Sequence, residues 1–304
     1  MVEGLGRVAP CDVGACRMLL EGNYLYDVLD AECDFEKYKL IILPDIVKIT
    51  PKIADKISTF VKNGGKLLCT GSAGTNENNE FVFDIGVKAI KESKFNPAYY
   101  RPNYEALGLT PSSYVIYSQM YDTELSDKNA KVLGYSRKTF FNRAPEHFCS
   151  HKHTPFVYED NTPAVVIGQQ GAYVAFNAFT EYANVGCYIA KETVHKVIDE
   201  LLGARKTLTT NLPSTGVVTL NRQSEYNREV MHALFVTPIK RGNGVEVIED
   251  LIPIYDTEFE IKTNDVSAVK LVPQNETIPY EYTSGTLRFK LDKIECSQIV
   301  VIEH

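Results

Sequence analysis

Residues 38–74 read YKLIILPDIVKITPKIADKISTFVKNGGKLLCTGSAG. Lys39–Leu43 carries a short apolar run closed by Pro44, the pattern of a strand buried on both faces. Thr50 is placed to cap a helix, and Pro51 suits its first turn. Ile53, Ile57, Phe60 and Val61 then recur at helical spacing, and Asn63-Gly64-Gly65 ends the helix. Lys66–Cys69 is a second buried strand running into a loop of small residues. Strand, helix and strand joined by short links predict a right-handed βαβ unit and a parallel sheet. Ligands of such sheets sit beyond the carboxyl ends of the strands. That rule directs attention to Asp45 and to the Gly71–Gly74 turn.

Working outward, Asp12 is a plausible cap for a helix in which Ala15, Met18 and Leu19 share a face, ending near Gly22. Tyr26–Leu29 reads as a short strand. Downstream, the prolines at 97, 102 and 111 mark an irregular excursion over 93–113, and Tyr114–Ser118 and Lys131–Tyr135 read as strands. AVVIG (164–168) and AYVAFN (172–177) form a hairpin-like pair about Gly171. A helix from about Val185 to Leu202 follows, with Ile189, Val194, Val197, Ile198 and Leu201 on one face and Gly203 at its end. Beyond Ala204 the pattern changes to many short alternating segments. They are separated by turn signals such as Arg241–Gly244, Thr263–Asp265 and Ser284-Gly285, which predicts an antiparallel β-sandwich. The expected division is 1–204 and 205–304.

Composition narrows the function classes. The chain has 304 residues, 44% hydrophobic and 23% charged, enough for two cores. A formal charge of -7 without a dense Lys/Arg block argues against a nucleic-acid surface. No apolar run reaches membrane-spanning length, and no basic segment with an apolar core opens the chain. Seven scattered cysteines with no C-x-x-C pair read as reduced thiols, which favours a cytoplasmic location. With no Trp and eighteen Tyr, any contact with carbohydrate would fall to tyrosine faces.

Two further groups of residues invite chemistry. His147, Cys149, His151 and His153 lie close enough in sequence to suggest a metal site, but His151 and His153 are two apart on an extended segment, and no second ligand pair matches them. A polar surface or interface loop is the expectation, with no metal and no cofactor. Glycoside hydrolysis needs paired carboxylates. Glu249 and Asp250 are adjacent, so on a strand they face opposite ways and would support a turn or an interdomain contact. His232 and His195 read as packing residues on a strand and a helix.

The Gly64–Gly74 stretch, GGKLLCTGSAG, resembles the class I glutamine amidotransferase-like domain. The nucleophile position of that pattern falls on Ser72, while Cys69 lies inside the strand. Thr70 stands where a G-x-S-x-G elbow needs its first Gly, and a loop follows Gly74 rather than an apolar helix. An inactive turn is therefore expected; the alternatives are a hydrolase or amidotransferase pairing Ser72 with a histidine of 147–153, or a stand-alone sugar-binding protein with an exposed Tyr or Phe platform.

Taken together, CRMLLEGNYLYDVLDAECDFEKYKLIILPD (16–45), GGKLLCTGSAG (64–74) and HTPFVYEDNTPAVVIGQQGAYVAFNAFTEYANVG (153–186) resemble the β-galactosidase trimerisation domain. This is the amidotransferase-like module that follows the catalytic barrel in family 42 β-galactosidases and in a related group that includes α-L-fucosidases. LPSTGVVTLNRQ, EVMHALFVTP and VIEDLIPIYD resemble the small β-sandwich that ends those enzymes. The resemblance implies a flavodoxin-like parallel-sheet domain followed by that sandwich, acting in carbohydrate metabolism without catalysis of its own. It also implies a homo-oligomer, or pairing with a separate catalytic barrel, and a possible carbohydrate contact. The family's catalytic acid and nucleophile lie on the barrel, to which no residue here corresponds. The first strand of the sheet would lie between Tyr26–Leu29 and Lys39–Leu43; residues 2–9, with Val2, Leu5 and Val8, are the favoured filler of that slot, the alternatives being a segment from another copy of the chain or a rearranged sheet in which Tyr26–Leu29 moves over.

Overall fold

The computed structural model describes residues 8–128, 130–151 and 153–304. The chain divides into two compact units, Met1–Met18 with Leu29–Ala204, and Leu19–Val28 with Arg205–His304. It is a mixed α/β protein with one curled mixed sheet and further antiparallel sheets.

In the first unit the strands, in chain order, are β1 (Leu40–Leu43), β2 (Lys66–Thr70), β3 (Val87–Glu92), β4 (Ala98–Pro102), β5 (Tyr114–Ile116), β6 (Tyr121–Leu125), β7 (Lys131–Arg137), β8 (Thr162–Ile167) and β9 (Gly171–Val174). Seven of them form a sheet in the order β1-β2-β9-β8-β7-β4-β5, and β3 pairs with β6 separately. β1, β2 and β9 are parallel; from β9 to β5 every pairing is antiparallel. The parallel sheet expected from residues 38–74 is thus confined to three strands. β8 and β9 pair as a short return, whereas β4–β7 and β7–β8 join strands separated by longer excursions of the chain.

The helices are α1 (Pro10–Glu21), α2 (Pro51–Lys62), α3 (Tyr104–Leu107), α4 (Ala178–Val185) and α5 (Tyr188–Leu202). α2 forms as its residues dictate. Thr50 Oγ1 accepts from Ile53 N at 3.4 Å, Pro51 occupies the first turn, and Ile57 and Phe60 are buried, contributing about 1.5–3 kcal/mol each if fully transferred from water. Gly64 ends the helix at φ +89°, and a Cβ on Gly65 would lie 2.3 Å from the Phe60 ring. Leu67, Leu68, Val165, Val166, Tyr173 and Val174 are inaccessible to solvent, as expected for strands covered on both faces. α5 buries Ile189, Val194, Val197, Ile198 and Leu201.

Three sequence expectations are corrected. α1 begins at Pro10, so Asp12 lies inside its first turn rather than at its cap; proline is well suited to the first helical position. The closing helix is split by Gly186 (φ +64°) into α4 and α5. Tyr26–Leu29 forms no strand. Its neighbourhood is held by the second unit instead, where Asn23 Nδ2 donates to Leu212 O at 2.8 Å and Leu25 packs on the core. Consequently no slot opens between two strands, and β1 is the edge of the sheet among the described residues. Of the expected filler 2–9, residues 2–7 lie outside the described residues, and Val8 and Ala9 precede α1 outside any strand.

The second unit contains β10 (Leu208–Thr210), β11 (Gly216–Gln223), β12 (Arg228–Phe235), β13 (Ile239–Gly242), β14 (Val245–Val247), β15 (Ile254–Lys262), β16 (Ala268–Val272), β17 (Glu276–Thr277), β18 (Tyr280–Thr283), β19 (Thr286–Ile294) and β20 (Cys296–Glu303). They form antiparallel sheets β10-β15-β19-β18 and β11-β12-β20-β16-β17, with β13-β14 as a separate pair. The two larger sheets share one buried core. Met231 and Ile302 from one and Phe259 and Phe289 from the other belong to it, the two rings stacking at 5.4 Å. No helix among the described residues is long and apolar enough to cross a membrane.

Candidate functional site at the carboxyl ends of the parallel strands

Asp45, the Gly71–Gly74 turn and the start of α4 follow β1, β2 and β9, so the parallel register brings their carboxyl ends together. Asp45 is fully buried, with φ +41°, a conformation that Asp tolerates better than most residues. Its backbone N donates to Thr70 Oγ1 at 2.8 Å, and that hydroxyl donates to Asp45 Oδ1 at 2.6 Å. Its carbonyl accepts from Ser72 N at 2.7 Å. Phe179 N and Thr180 N, in the first turn of α4, donate to the Asp45 carboxylate at 3.4 and 2.7 Å. Asn177, the residue preceding α4, makes no side-chain cap. An aspartate from a distant strand therefore satisfies the helix's unpaired N–H groups and meets its positive end. Burial raises the Asp45 pKa above the ordinary carboxylate value, against these hydrogen bonds, which pull it down.

Ser72 does not meet a base. Its Oγ donates to the Asp45 carbonyl at 3.2 Å, and its side chain shares a hydrogen bond with Tyr121, whose phenol burial pushes upward. None of its hydrogen bonds among the described residues involves an imidazole, so nothing in this arrangement activates the hydroxyl as a nucleophile. Gly71 adopts φ +59°, which favours glycine, and a Cβ there would also lie 2.9 Å from the Asp45 carbonyl oxygen. Cys69 is a sealed core thiol whose pKa burial pushes to about 12.

The histidines are dispersed. His153 Nε2 shares a hydrogen bond with Tyr117 Oη at 2.9 Å, while His151 is exposed and offers its carbonyl to Cys149 Sγ at 3.3 Å. Among the described residues no group of three or more His, Cys, Asp or Glu is arranged to hold a metal ion. His195 Nε2 lies 2.7 Å from Met18 O, and burial lowers its pKa. Glu249 pairs with Arg241.

Glu181 was not among the residues singled out from sequence. It is 2% exposed, lies on α4, and accepts from Tyr117 N at 3.1 Å and Ser118 N at 2.6 Å. The available signal was an acidic residue within the apolar run AFNAFTEYANV, where a solvated side chain has no place. Asp45 and Glu181 thus both accept backbone N–H groups, one holding the start of α4 and the other the loop after β5. Elsewhere in the unit, Leu109, Tyr114, Cys187 and Tyr188 help to line a groove of about 290 Å³, into which none of Asp45, Ser72, His151 or His153 projects.

Residues 17–90 match the β-galactosidase trimerisation domain. β-Galactosidase Pbg of Clostridium perfringens is 37% identical over 57 residues, 19% of this chain and 8% of that protein. β-Galactosidase BglY of Alicyclobacillus acidocaldarius is 35% identical over 57 residues, with the same shares. Among solved structures, α-L-fucosidase isoenzyme 2 from Paenibacillus thiaminolyticus superposes with a TM-score of 0.93 and 37% identity, covering 98% of this chain and 46% of the fucosidase. The β-galactosidase from Bacillus circulans sp. alkalophilus shares the fold, with a TM-score of 0.56, 15% identity, and coverage of 99% and 38%. The chain spans less than half of the length of these glycoside hydrolases.

Proposed function

We propose that this chain is the oligomerisation and accessory portion of a glycoside hydrolase, and that the carboxylates which cleave the sugar lie outside its residues. The observation that carries the reading is the match to α-L-fucosidase isoenzyme 2 along 98% of this chain at 37% identity. That identity, against 15% for the B. circulans β-galactosidase, favours an α-L-fucosidase type of parent over a β-galactosidase type. The disposition of Asp45, Glu181 and Ser72 supports a structural role, since each is engaged with backbone groups of its own unit. We take the first unit to be a flavodoxin-like, amidotransferase-like domain, on the strength of the β1-α2-β2 crossover and the small-residue turn after β2. The second is taken as a β-sandwich, with the boundary at 204/205. The partners of the chain on this reading are further copies of itself or a separate catalytic barrel.

The test is direct. Purified chain is assayed on aryl α-L-fucoside and aryl β-D-galactoside, and its mass in solution is measured. Self-association without turnover is expected. Turnover that disappears on changing one of the chain's own carboxylates would refute the reading.

A further inference from the structure

Arg137 is the last residue of β7 and is 6% exposed. Its cross-strand neighbour is Tyr99 of β4. The Phe156 ring packs on both, its centroid 5.0 Å from that of Tyr99 and 5.3 Å from the guanidinium carbon. The Tyr158 ring lies 5.0 Å from the same carbon. Nε and Nη2 both donate to Asn161 Oδ1, at 3.3 and 3.2 Å, and Nη1 donates to Ser113 Oγ at 3.0 Å. A guanidinium has more N–H groups than these contacts use, and one on each Nη is left over. No ion pair among the described residues includes Arg137. The acids that follow it or face its strand are engaged elsewhere: Asp160 accepts from Lys138 N at 2.8 Å, and Asp122 lies 3.8 Å from Lys138 Nζ.

A buried cation without an anion is costly, and ring faces return only part of the lost hydration. A second polar group beside it is also unanswered. Thr139 is two residues beyond Arg137, so on extended chain its side chain falls on the same side. It is 2% exposed and bridges to Phe156, the residue whose ring covers Arg137. Its hydroxyl is buried with no hydrogen-bond partner among the described residues.

We propose that Arg137 and Thr139 form a binding site for the carboxylate or phosphate group of a small ligand. The N–H groups left on the guanidinium are the kind of fixed donors that such an oxyanion accepts. The threonine hydroxyl donates to a further oxygen. The recess of Arg137 favours a small ligand over the flat surface of another protein. Towards solvent its surroundings are Asn161, which is exposed, Ser113, which is half-buried, and Tyr158, which is 70% exposed. A ligand entering on that side meets the tyrosine ring with its own apolar surface while its anionic end reaches the guanidinium.

The experiment uses the full chain with isotope-labelled arginine. Inorganic phosphate and acetate are titrated separately against chloride at constant ionic strength, and the guanidinium N–H signals are followed by magnetic resonance. One arginine signal should shift saturably, and that signal should be missing from Arg137→Gln. Response to either anion supports the site, and the stronger response identifies the group as phosphate or carboxylate. Thr139→Val keeps the shape of the side chain and breaks no hydrogen bond. It should therefore melt no lower than the unaltered protein, yet bind the anion about tenfold more weakly. This variant carries the test by itself if Arg137→Gln does not fold. No saturable shift with either anion overturns the proposal, and so does equal affinity in Thr139→Val. A shift of the Arg137 signal that follows protein concentration without added anion overturns it as well, and gives the guanidinium to a carboxylate of a second copy.

Discussion

The Asp45 carboxylate accepts the backbone N–H of Thr180 at 2.7 Å, joining the end of β1 to the first turn of α4 across 135 residues. The same carboxylate takes the Thr70 hydroxyl, so one side chain ties together the ends of all three parallel strands. Four features at this corner can be tested separately.

Replacing Asp45 with Ala removes the acceptor for two buried N–H groups and one hydroxyl. Stability should fall by about 2–4 kcal/mol, read from denaturant unfolding with circular dichroism. The pH dependence has a definite sign. Because the folded pKa is raised, the Asp45 contribution is full below the unfolded value of about 3.9. It is lost as pH rises through the folded value. The stability difference between the native protein and Asp45→Asn should therefore be larger near pH 4 than at pH 7. A difference that grows with pH would contradict the assignment of burial as the dominant cause.

Glu181→Ala should release the loop that carries Tyr117 and Ser118, at a cost of about 1–3 kcal/mol. Glu181→Gln retains one acceptor oxygen and should recover part of that loss. Hydrogen exchange at the amides of 117 and 118 reports the release directly, and unchanged protection in the Ala variant would show that the carboxylate does not hold the loop.

Ser72→Ala removes one 3.2 Å hydrogen bond to a carbonyl and the contact with Tyr121. The expected stability change is within about 1 kcal/mol, and any measured turnover should be unchanged. A loss of turnover by orders of magnitude with unchanged folding would restore Ser72 as a nucleophile.

Cys69 should be the last of the seven thiols to react in the native state, since it is sealed and its pKa is near 12. Timed labelling followed by peptide mass analysis checks the order. Early modification of Cys69, ahead of Cys149 or Cys33, would mean that β2 opens far more readily than its burial indicates.

Much of the first unit was legible in the chain because its determinants are local. Thr50, Pro51 and the spacing of Ile53, Ile57 and Phe60 specify α2 within one stretch, and the apolar runs flanking it specify β1 and β2. The carboxyl-end rule found Asp45 and the turn at Ser72 for the same reason, since both follow directly from where those strands stop. The alternating segments after residue 205 likewise indicated antiparallel sheets, because a two-residue period survives in any single strand. What these residues do was settled by partners far away in sequence. Asp45 caps a helix that starts at 178, and Glu181 holds a loop at 117–118. His153 turns to Tyr117 rather than to Ser72. Tyr26–Leu29 has the composition of a strand, yet Asn23 and Leu25 bind it to the second unit, and packing outweighs a weak local preference. Local propensity amounts to tenths of a kcal/mol per residue, whereas a buried hydrogen bond or side chain is worth on the order of 1–3 kcal/mol. Sequence therefore decided which elements form, and the tertiary structure decided which side chains they bring together.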